Sequence, residues 1–314
     1  MFVCCGEALI DMIPLQENTG QGANGQQGFV PLVGGAIFNT AIGLGRLGVS
    51  VGMLSGVSMD MFGQQLQSAL QASQVNTDFL IRSSLPTTLA FVKLTDGHAS
   101  YTFYDENSAG RSLVSEQMPH LPNKVSGLYF GGISLIAEPA ADTYCLLAEQ
   151  YAGSKLIMLD PNIRPSFVGD EKTYRQRLRR MLAVADLVKV SDEDLDWLVP
   201  GGADIPEKVL RLRQPANQWV LVTKGSAGSV AYGPNNQLVE QGGVKAEVVD
   251  TVGAGDTFNS GFLASLVEQN LATKAAVAQM TVAQISKALQ LASQIAAVTV
   301  SRAGANPPWK QELV

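Results

Sequence analysis

The 314-residue sequence has few of the side chains that most often carry catalysis or bind metals. It contains two histidines, His98 and His120, and three cysteines. So few histidines argue against a histidine-rich metal site or a Ser-His catalytic pair, and three cysteines cannot form a disulfide framework. We therefore expect carboxylates to carry any acid–base chemistry and the protein to be cytoplasmic.

Basic charge and long apolar runs are also scarce. The net charge is −6, and the one dense basic cluster is RQRLRR, residues 175–180, which fits a solvated helix face. No nucleic-acid partner is expected from this balance. No stretch approaches the roughly 20 apolar residues that cross a bilayer, and Glu7 and Asp11 interrupt the only candidate leader sequence. No membrane partner is expected either.

Apolar runs that alternate with helical patterns occupy most of the chain. The runs GLYFGGIS, KLIMLD, DLVKVS and WVLVTKG read as buried strands, and NTAIGLGRLG and FGQQLQSALQAS have apolar residues at helical spacing. This alternation predicts a mostly parallel sheet with helices on both faces, in a single α/β domain spanning residues 1–314. Ligands of such sheets bind beyond the carboxyl ends of the strands.

Two segments depart from this alternation. Residues 14–33 are polar and glycine-rich, which predicts a loop leading into another strand. Residues 87–105 alternate apolar and polar side chains around the turn TDGH, which predicts a β-hairpin. Together they predict a small lid sheet, from segments at about 12–33 and 87–107, whose exposed face pairs two copies of the chain as a homodimer. A plain surface hairpin is the alternative.

The glycine-rich stretch DTVGAGDTFNSGF, residues 250–262, is the main candidate for chemistry. It follows the strand-like run AEVVD and precedes a helix expected to begin near Thr257. Unpaired N–H groups at a helix N-terminus bind anions, and Gly253–Gly255 would let a phosphate approach them closely. Asp256 is then either a helix cap or a general base that takes a proton from an alcohol during phosphoryl transfer. The stretch alone is compatible with both roles.

A formal match to the dinucleotide-binding pattern G-x-G-x-x-G lies at residues 43–48. That pattern requires its first glycine directly after a strand, whereas here the glycines follow AIFNTAI, which reads as a helix begun near Gly35. The glycines are therefore predicted to permit close helix packing, which argues against a dehydrogenase. The P-loop pattern G-x-x-x-x-G-K-[ST] does not occur in the sequence.

Two motifs taken together resemble the signatures of the ribokinase-like, or PfkB, family of carbohydrate kinases. GGAIFNTAIGLGRLG, residues 34–48, resembles the N-terminal signature, and DTVGAGDTFNSGF closely resembles the C-terminal one. The resemblance extends from GEALIDM near the start to SRAGANPPW near the end. It implies a three-layer ribokinase-like fold with a β-sheet lid and an ATP-dependent sugar kinase that uses Mg²⁺.

The resemblance also implies a role for each matched residue. It implies that Asp256 is the catalytic base and that the amides of Gly253, Ala254 and Gly255 form the anion hole. The implied sugar site comprises Asp11, Gly34, Gly35, Asn39, Phe103, Glu138, Asn162, Arg164 and Asp256. The implied nucleotide site comprises Ser191, Thr223, Lys224, Gly225, Gly228 and Gly255.

Several of these matches have plainer interpretations. Asp11 also fits a strand-end turn, VTKGSAGS a tight glycine turn, and DPNIRP a proline-framed loop in solvent. The segment VSDEDL has Ser191 and Asp194 where the family often carries Asn-x-x-Glu, and it equally fits a capping box. Magnesium prefers carboxylate and water oxygens, so Asp194 and Glu193 are both candidate Mg²⁺ ligands.

The tail TVSRAGANP, residues 299–307, resembles a loop that holds a monovalent cation in some relatives. The corresponding positions, mostly contributing carbonyl groups, are Asp250, Val252, Thr299, Arg302 and Gly304. Activation by K⁺ is therefore an expectation.

The lid segment YTFYDENSAGRSL, residues 101–113, and GEALIDM resemble the fructokinase branch of the family. Asp105 and Glu106 would repel an acidic sugar, although Arg111 could still reach inward. We therefore expect D-fructose to be converted to fructose 6-phosphate. A 2-keto-3-deoxygluconate kinase or a ribokinase is the alternative within the family. A sugar-binding regulatory protein without catalysis is the alternative from another class, suggested by the altered Ser191 and Asp194 motif.

Overall fold

The structure, a computed structural model, describes residues 1–15, 28–95 and 98–313. Its strands are β1 (Phe2–Cys5), β2 (Leu9–Pro14), β3 (Phe29–Gly34), β4 (Val51–Leu54), β5 (Gly56–Ser58), β6 (Ile81–Ser83), β7 (Leu89–Thr95), β8 (His98–Tyr104), β9 (Gly127–Gly131), β10 (Leu156–Asp160), β11 (Leu187–Ser191), β12 (Trp219–Thr223), β13 (Ser229–Tyr232) and β14 (Leu238–Gln241). Its helices are α1 (Ala36–Arg46), α2 (Met61–Ala72), α3 (Ala140–Tyr151), α4 (Glu171–Val184), α5 (Asp192–Leu198), α6 (Ile205–Leu212), α7 (Ala254–Glu268), α8 (Lys274–Val277) and α9 (Val282–Val300). None of these helices is long and apolar enough to cross a bilayer.

The main sheet has eight strands in the order β4-β1-β9-β10-β11-β12-β13-β14. The first six are parallel, and β13 and β14 add two antiparallel strands at one edge. Because side chains alternate between the faces of a strand, Phe2 and Cys4 enter one core while Val3 and Cys5 enter the other. Helices α1, α2, α7, α8 and α9 cover the first face, and α3 to α6 cover the second. The predicted three-layer α/β class is confirmed.

A separate four-stranded sheet, in the order β3-β2-β7-β8, forms the lid. The predicted hairpin is confirmed, since β7 and β8 pair antiparallel, and the glycine-rich segment does lead into β3, which pairs with β2. Residues 16–27 of that segment and residues 96–97 of the TDGH turn lie outside the described residues. The register aligns Asp11 with Ala90 and Ala90 with Phe103, so these three side chains share one face of the lid.

The segment before α7 differs from the sequence-based expectation. AEVVD does not form a strand, because residues 242–249 run exposed along the surface and the N–H groups of Val249 and Asp250 donate to the carbonyl of Val300 in α9. Helix α7 begins at Ala254, three residues before the predicted Thr257. Gly253 adopts a left-handed conformation with φ 77°, which lets the chain turn directly into the helix.

The glycines of the G-x-G-x-x-G match lie in and just after α1, as expected from the sequence. A Cβ atom at Gly43 would overlap the Ser260 side chain of α7, and one at Gly45 would overlap the carbonyl oxygen of Ser73. The prediction that these glycines permit close packing is therefore confirmed. The same packing brings α1 directly against α7, which carries the candidate base.

Candidate active site

A cleft of about 360 Å³ lies between the lid and the carboxyl ends of the main-sheet strands. Most of the predicted sugar-site residues line it, namely Asp11, Gly35, Asn39, Phe103, Asn162, Arg164 and Asp256. They arrive from the lid sheet, from the start of α1, from the loop after β10 and from the start of α7. Residues as far apart in sequence as Asp11 and Asp256 therefore face one space.

A second cleft of about 600 Å³ adjoins the first, and its size is in the usual range for a small-molecule site. Its lining includes Thr223, Gly225, Gly228 and Gly255 of the predicted nucleotide site. Lys224 and Ser191 are not among the described residues that line it. The two clefts share Thr251, Ala254 and Gly255, so the start of α7 is their common border.

The start of α7 brings the backbone of Ala254 and Gly255 to this border, where the N–H of Ala254 makes a long hydrogen bond of 3.3 Å to the carbonyl of Thr251. The first N–H groups of a helix lack intrahelical partners and carry positive partial charge, which favours an anion. Gly253 caps the helix without a side chain, and a Cβ atom there would lie 2.6 Å from Cβ of Ala305. The close approach of the C-terminal loop therefore requires glycine at this position.

Asp256 lies buried beside this border, and its side chain is bonded to α1 rather than to its own helix. Its Oδ2 accepts a hydrogen bond from Nδ2 of Asn39 at 2.9 Å, and its carbonyl oxygen accepts one from Oγ1 of Thr40 at 3.1 Å. Burial raises the pKa of Asp256 to about 7, and the charges of Asp160 and Glu7 act in the same direction. A carboxylate with a pKa near neutrality suits general-base catalysis.

A buried network that the sequence did not reveal lies behind Gly253–Gly255, the predicted anion-hole residues. Nζ of Lys189 in β11 contacts Oδ2 of Asp160 at 3.1 Å, and Nδ2 of Asn259 donates to the same oxygen at 2.7 Å. Burial lowers the pKa of Lys189, but the carboxylates of Asp160 and Asp194 outweigh it and raise the pKa overall. A Cβ atom at Gly255 would lie 3.2 Å from Nζ of Lys189. A buried cation therefore lies against the first turn of α7.

The smaller cleft is called the sugar cleft below, after the predicted sugar-site residues that line it. Its opposite end combines one carboxylate with aromatic side chains from the lid. Burial raises the pKa of Asp11 to about 6. Gly34 does not line the cleft, but its lack of a side chain leaves room for the Asp11 carboxylate. Phe103 packs edge-to-face on Phe167 with ring centroids 4.5 Å apart. Tyr101 also lines the cleft, and its two-residue spacing from Phe103 in β8 is the signal that could have predicted it.

Two residues that were predicted or suspected to contact the sugar are not among the described residues that line this cleft. Glu138 lies outside the cleft lining because its carboxylate pairs with Arg177 and accepts the N–H of Asp142 in α3. Arg111 does not reach inward, since its guanidinium pairs with Asp105 at 3.2 Å and donates to the carbonyl of Glu138. Of the predicted sugar-site residues, Arg164 is the cation that lines the cleft.

A family model for pfkB family carbohydrate kinases matches residues 1–312 of this chain. The chain belongs to the PfkB family. It is therefore a carbohydrate kinase, and the family and enzyme class predicted from the two motifs are confirmed.

Relatives of this PfkB kinase include a fructokinase of Rhizobium leguminosarum bv. trifolii. That protein is 45% identical over 280 residues, which cover 89% of this chain and 84% of the relative. A crystal structure of a fructokinase with bound ATP from Xylella fastidiosa superposes with a TM-score of 0.88 at 28% identity, covering 99% of this chain and 97% of that one. A crystal structure of a fructokinase from Vibrio cholerae O395 in fructose, ADP and calcium ion bound form superposes with a TM-score of 0.80 at 26% identity, covering 97% of this chain and 94% of that one.

The altered motif at Ser191 forms a complete capping box at the start of α5 in this PfkB kinase. Oγ of Ser191 accepts the N–H of Asp194 at 2.9 Å, and Oδ2 of Asp194 accepts the N–H of Ser191 at 3.1 Å. Oδ1 of Asp194 accepts the N–H of Ile163, so both oxygens of this carboxylate are bonded to backbone N–H groups. The side chain of Glu193 is exposed. Within residues 1–15, 28–95 and 98–313, no three His, Cys, Asp or Glu side chains are grouped to hold a metal. This donor set fits a Mg²⁺ ion held mainly by nucleotide phosphates and water.

The predicted positions for a monovalent cation lie together beside the predicted anion-hole residues. Oδ1 of Asp250 accepts the N–H of Val252 at 3.0 Å, and its Oδ2 accepts the N–H of Gly304 at 2.9 Å. The carbonyl of Thr299 accepts the N–H of Arg302 at 3.0 Å. The side chain of Arg302 is directed elsewhere and pairs with Glu312. Asp250 thereby joins the loop before α7 to the loop after α9.

Proposed function

We propose that this PfkB kinase transfers the γ-phosphoryl group of ATP to D-fructose and forms fructose 6-phosphate and ADP. The observation that carries the proposal is the common border of the two clefts, where Ala254 and Gly255 at the start of α7 line both spaces and Asp256 lines the smaller one. The fructokinase relatives, one crystallised with ATP and one with fructose and ADP, support this choice of substrates.

Asp256 would act as the general base in this reaction. It would take the proton from a sugar hydroxyl while that oxygen forms a bond to the γ-phosphorus and the bond from phosphorus to the ADP oxygen breaks. The amides of Gly253, Ala254 and Gly255 would form the anion hole for the charge on the transferred group. The hydrogen bond from Asn39 orients the Asp256 carboxylate toward the sugar cleft.

The larger cleft would hold ATP. The turn at Gly225 and Gly228, both with positive φ, lets the chain pass close to a ligand, as expected of a phosphate- or ribose-binding loop. Thr223 and Lys224 directly precede this turn. Val248 and Phe258 add apolar surface suited to a purine ring. Bound Mg²⁺ would neutralise charge on the phosphates, with Asp194 and Glu193 acting through water.

The smaller cleft favours a neutral sugar through Asp11, which would accept hydrogen bonds from its hydroxyls. Arg164 is the observation that keeps 2-keto-3-deoxygluconate as a second candidate, because its guanidinium lines the cleft and donates to the backbone carbonyls of Asn162 and Ile163. A cation held only by carbonyl groups can still bind the carboxylate of an acidic sugar.

An ADP-release assay with fructose, ribose, 2-keto-3-deoxygluconate and a nucleoside tests these alternatives. We expect kcat/KM for fructose to exceed the others by about tenfold or more. A preference for the acidic sugar would overturn the fructose assignment. Binding of sugar without ADP release would support the regulatory protein instead.

We propose that K⁺ binds at Asp250, Val252, Thr299, Arg302 and Gly304, mostly through backbone carbonyls. A cation there would lie beside the N-terminus of α7 and would adjust its position rather than react. Turnover in potassium chloride should exceed turnover in sodium chloride at equal ionic strength. Equal rates in the two salts would contradict the proposal.

We propose a homodimer formed through the lid, and a cytoplasmic location. The side chains of Val30 and Leu32 in β3 are 37% and 45% exposed and share the lid face of Asp11, where a partner's lid would cover them. Light scattering of the wild type should give twice the monomer mass, and light scattering of Leu32→Lys should give the monomer mass. A monomeric wild type would contradict the dimer.

The proposed cytoplasmic location rests on the cysteines. The three cysteines are buried and unpaired, which fits a reducing compartment.

A further inference from the structure

Glu7, in the short loop between β1 and β2, accepts hydrogen bonds from two separate walls of the sugar cleft. Its Oε1 accepts the N–H groups of Ala36 at 3.0 Å and Ile37 at 3.4 Å, which belong to the first turn of α1. Its Oε2 accepts the N–H of Ser134, at 3.2 Å, in the turn that follows β9. Gly35, the N-cap residue of α1, has no side chain to bond these groups. Glu7 therefore caps α1 from a different part of the chain.

The glycine turns of both walls are shaped around the Glu7 side chain. Gly35 has φ 107°, and a Cβ atom there would lie 3.1 Å from Cγ of Glu7. Gly132 has φ 65°, and a Cβ atom there would overlap the Glu7 carboxylate. Both glycines line the sugar cleft, as does Ile133. A substitution at Glu7 would thus displace backbone on two sides of the cleft that would bind the substrate.

The same helix holds the candidate base. Asn39 lies one turn beyond Ala36 in α1, and it donates to the Asp256 carboxylate, while Thr40 donates to the Asp256 carbonyl. Glu7 fixes the beginning of α1, and the next turn of α1 fixes Asp256. A displacement of the helix start would therefore move the amide that orients the base.

We propose that Glu7 is a positioning residue that joins the two walls of the sugar cleft and, through α1, sets the orientation of Asn39 on Asp256. The inference rests on the proposed function, since it assumes that the cleft binds the sugar and that Asp256 removes its proton. Glu7 also lines the cleft, but both of its carboxylate oxygens accept backbone N–H groups, so we assign it a positioning role rather than proton exchange with the substrate.

Glu7 also acts on Asp256 through its charge. Its negative charge raises the pKa of Asp256, after the larger effect of burial. The titratable groups that face Asp256 from the neighbouring elements are Asp160, Lys189, Glu7, Tyr101 and Tyr129. Removing the Glu7 charge alone therefore lowers the pKa of Asp256.

The test is Glu7→Gln, which keeps the side-chain length but turns an NH₂ group toward backbone donors. One buried N–H then loses its acceptor, so we expect KM for fructose to rise about tenfold and kcat to fall about tenfold. KM for ATP should stay within about twofold, because Glu7 does not line the larger cleft. The acid limb of the kcat/KM profile should also move to lower pH, because the Glu7 charge raises the pKa of Asp256.

The matched control is Asp60→Asn at the start of α2. Asp60 likewise accepts three hydrogen bonds, from the N–H groups of Gly63 and Thr87 and from the Thr87 hydroxyl, but it does not line either cleft. Both variants should lose thermal stability, whereas only Glu7→Gln should change the sugar KM and the pH midpoint. Equal effects of the two variants on these readouts would reduce Glu7 to a structural role and overturn the proposal.

Two further measurements keep the test decisive. Glu7→Asp retains the charge but is too short to reach both walls, so we expect a raised KM for fructose with an unchanged pH midpoint. The pKa of Asp256 can also be followed without turnover, by carboxyl ¹³C NMR of aspartate-labelled protein, and it should be lower in Glu7→Gln. If the wild type phosphorylates no sugar, the proposed function fails while the NMR comparison still tests the link between Glu7 and Asp256. An unchanged Asp256 pKa in Glu7→Gln, or an unchanged sugar KM in Glu7→Asp, would contradict the proposal.

Discussion

Replacing Asp256 by asparagine should abolish most activity and at the same time stabilise the fold above pH 7. The variant keeps the size of the side chain and an oxygen that accepts the Asn39 hydrogen bond, but it removes the proton acceptor. We expect kcat to fall by about 10² to 10⁴, with ATP binding retained. In the wild type, kcat/KM should rise with pH and level off above about 7, the pKa of the buried carboxyl.

The gain in stability follows from the same pKa. Burial raises the pKa of Asp256 from the ordinary 3.8 to about 7. Above pH 7 the Asp256 carboxyl group is ionised in both states, but ionisation costs more free energy in the folded state, where the group is buried. Each pKa unit corresponds to about 1.4 kcal/mol, which gives a penalty on the order of 4 kcal/mol above pH 7. The penalty shrinks as the pH falls from 7 toward 3.8, because the folded state then binds the extra proton. Asparagine carries no such penalty at any pH.

Urea unfolding of both proteins at pH 8 and pH 5 measures this difference. Asp256→Asn should be more stable than the wild type by a few kcal/mol at pH 8 and by clearly less at pH 5. The same pair of proteins is compared by ADP release with saturating fructose and by ATP titration. Near-normal turnover would show that Asp256 is not the base and would leave it the structural role of bonding α7 to α1. An equal stability difference at both pH values would refute the raised pKa.

Four other substitutions probe the remaining parts of the site. Gly255→Ala places a Cβ atom 3.2 Å from Nζ of Lys189 and should lower kcat about tenfold with little effect on the sugar KM, measured by steady-state kinetics. Lys189→Met leaves Asp160 buried without its cation and should cost about 3 to 5 kcal/mol in urea unfolding, whereas a loss below 1 kcal/mol would contradict the role of the pair. Asp11→Ala removes the lid carboxylate and should raise KM for fructose about tenfold or more, while KM for ATP stays unchanged in the same assay. Gly43→Ala overpacks α1 against Ser260 and should cost about 1 to 3 kcal/mol, lowering the melting temperature without changing the pH midpoint of kcat/KM.

Local sequence patterns were sufficient to predict the sheet and to single out Asp256 as a candidate base, because each has a short-range signature. The strands of the main sheet are continuous apolar runs, as expected when both faces are covered. Asp256 and Asn39 lie inside glycine-containing motifs whose spacing is itself distinctive. The strand predicted at AEVVD was wrong because its alternating side chains are equally compatible with an exposed segment that bonds to α9.

Residues whose partners are distant in sequence were missed. The lysine in DLVKVS gave no sign of burial, since its partner Asp160 lies 29 positions earlier. Glu7 bonds to Ser134 across 127 positions. Glu138 was expected in the sugar site, but Arg177 holds its carboxylate outside the cleft. Such contacts depend on how the layers pack, which no local period or motif specifies.

The residues that would grip the sugar and the residue that would activate it belong to different bodies of the molecule. Asp11, Tyr101 and Phe103 belong to the lid sheet, whereas Asp256 is anchored to the main domain through α1 and α7. A water molecule in place of the sugar would face Asp256 in the smaller cleft but would lack the lid contacts that hold a sugar hydroxyl in line. A sugar would contact both bodies at once, so its reacting hydroxyl would be aligned by the lid as well as by the main domain. In the proposed mechanism, this separation of recognition from activation would limit the hydrolysis of ATP.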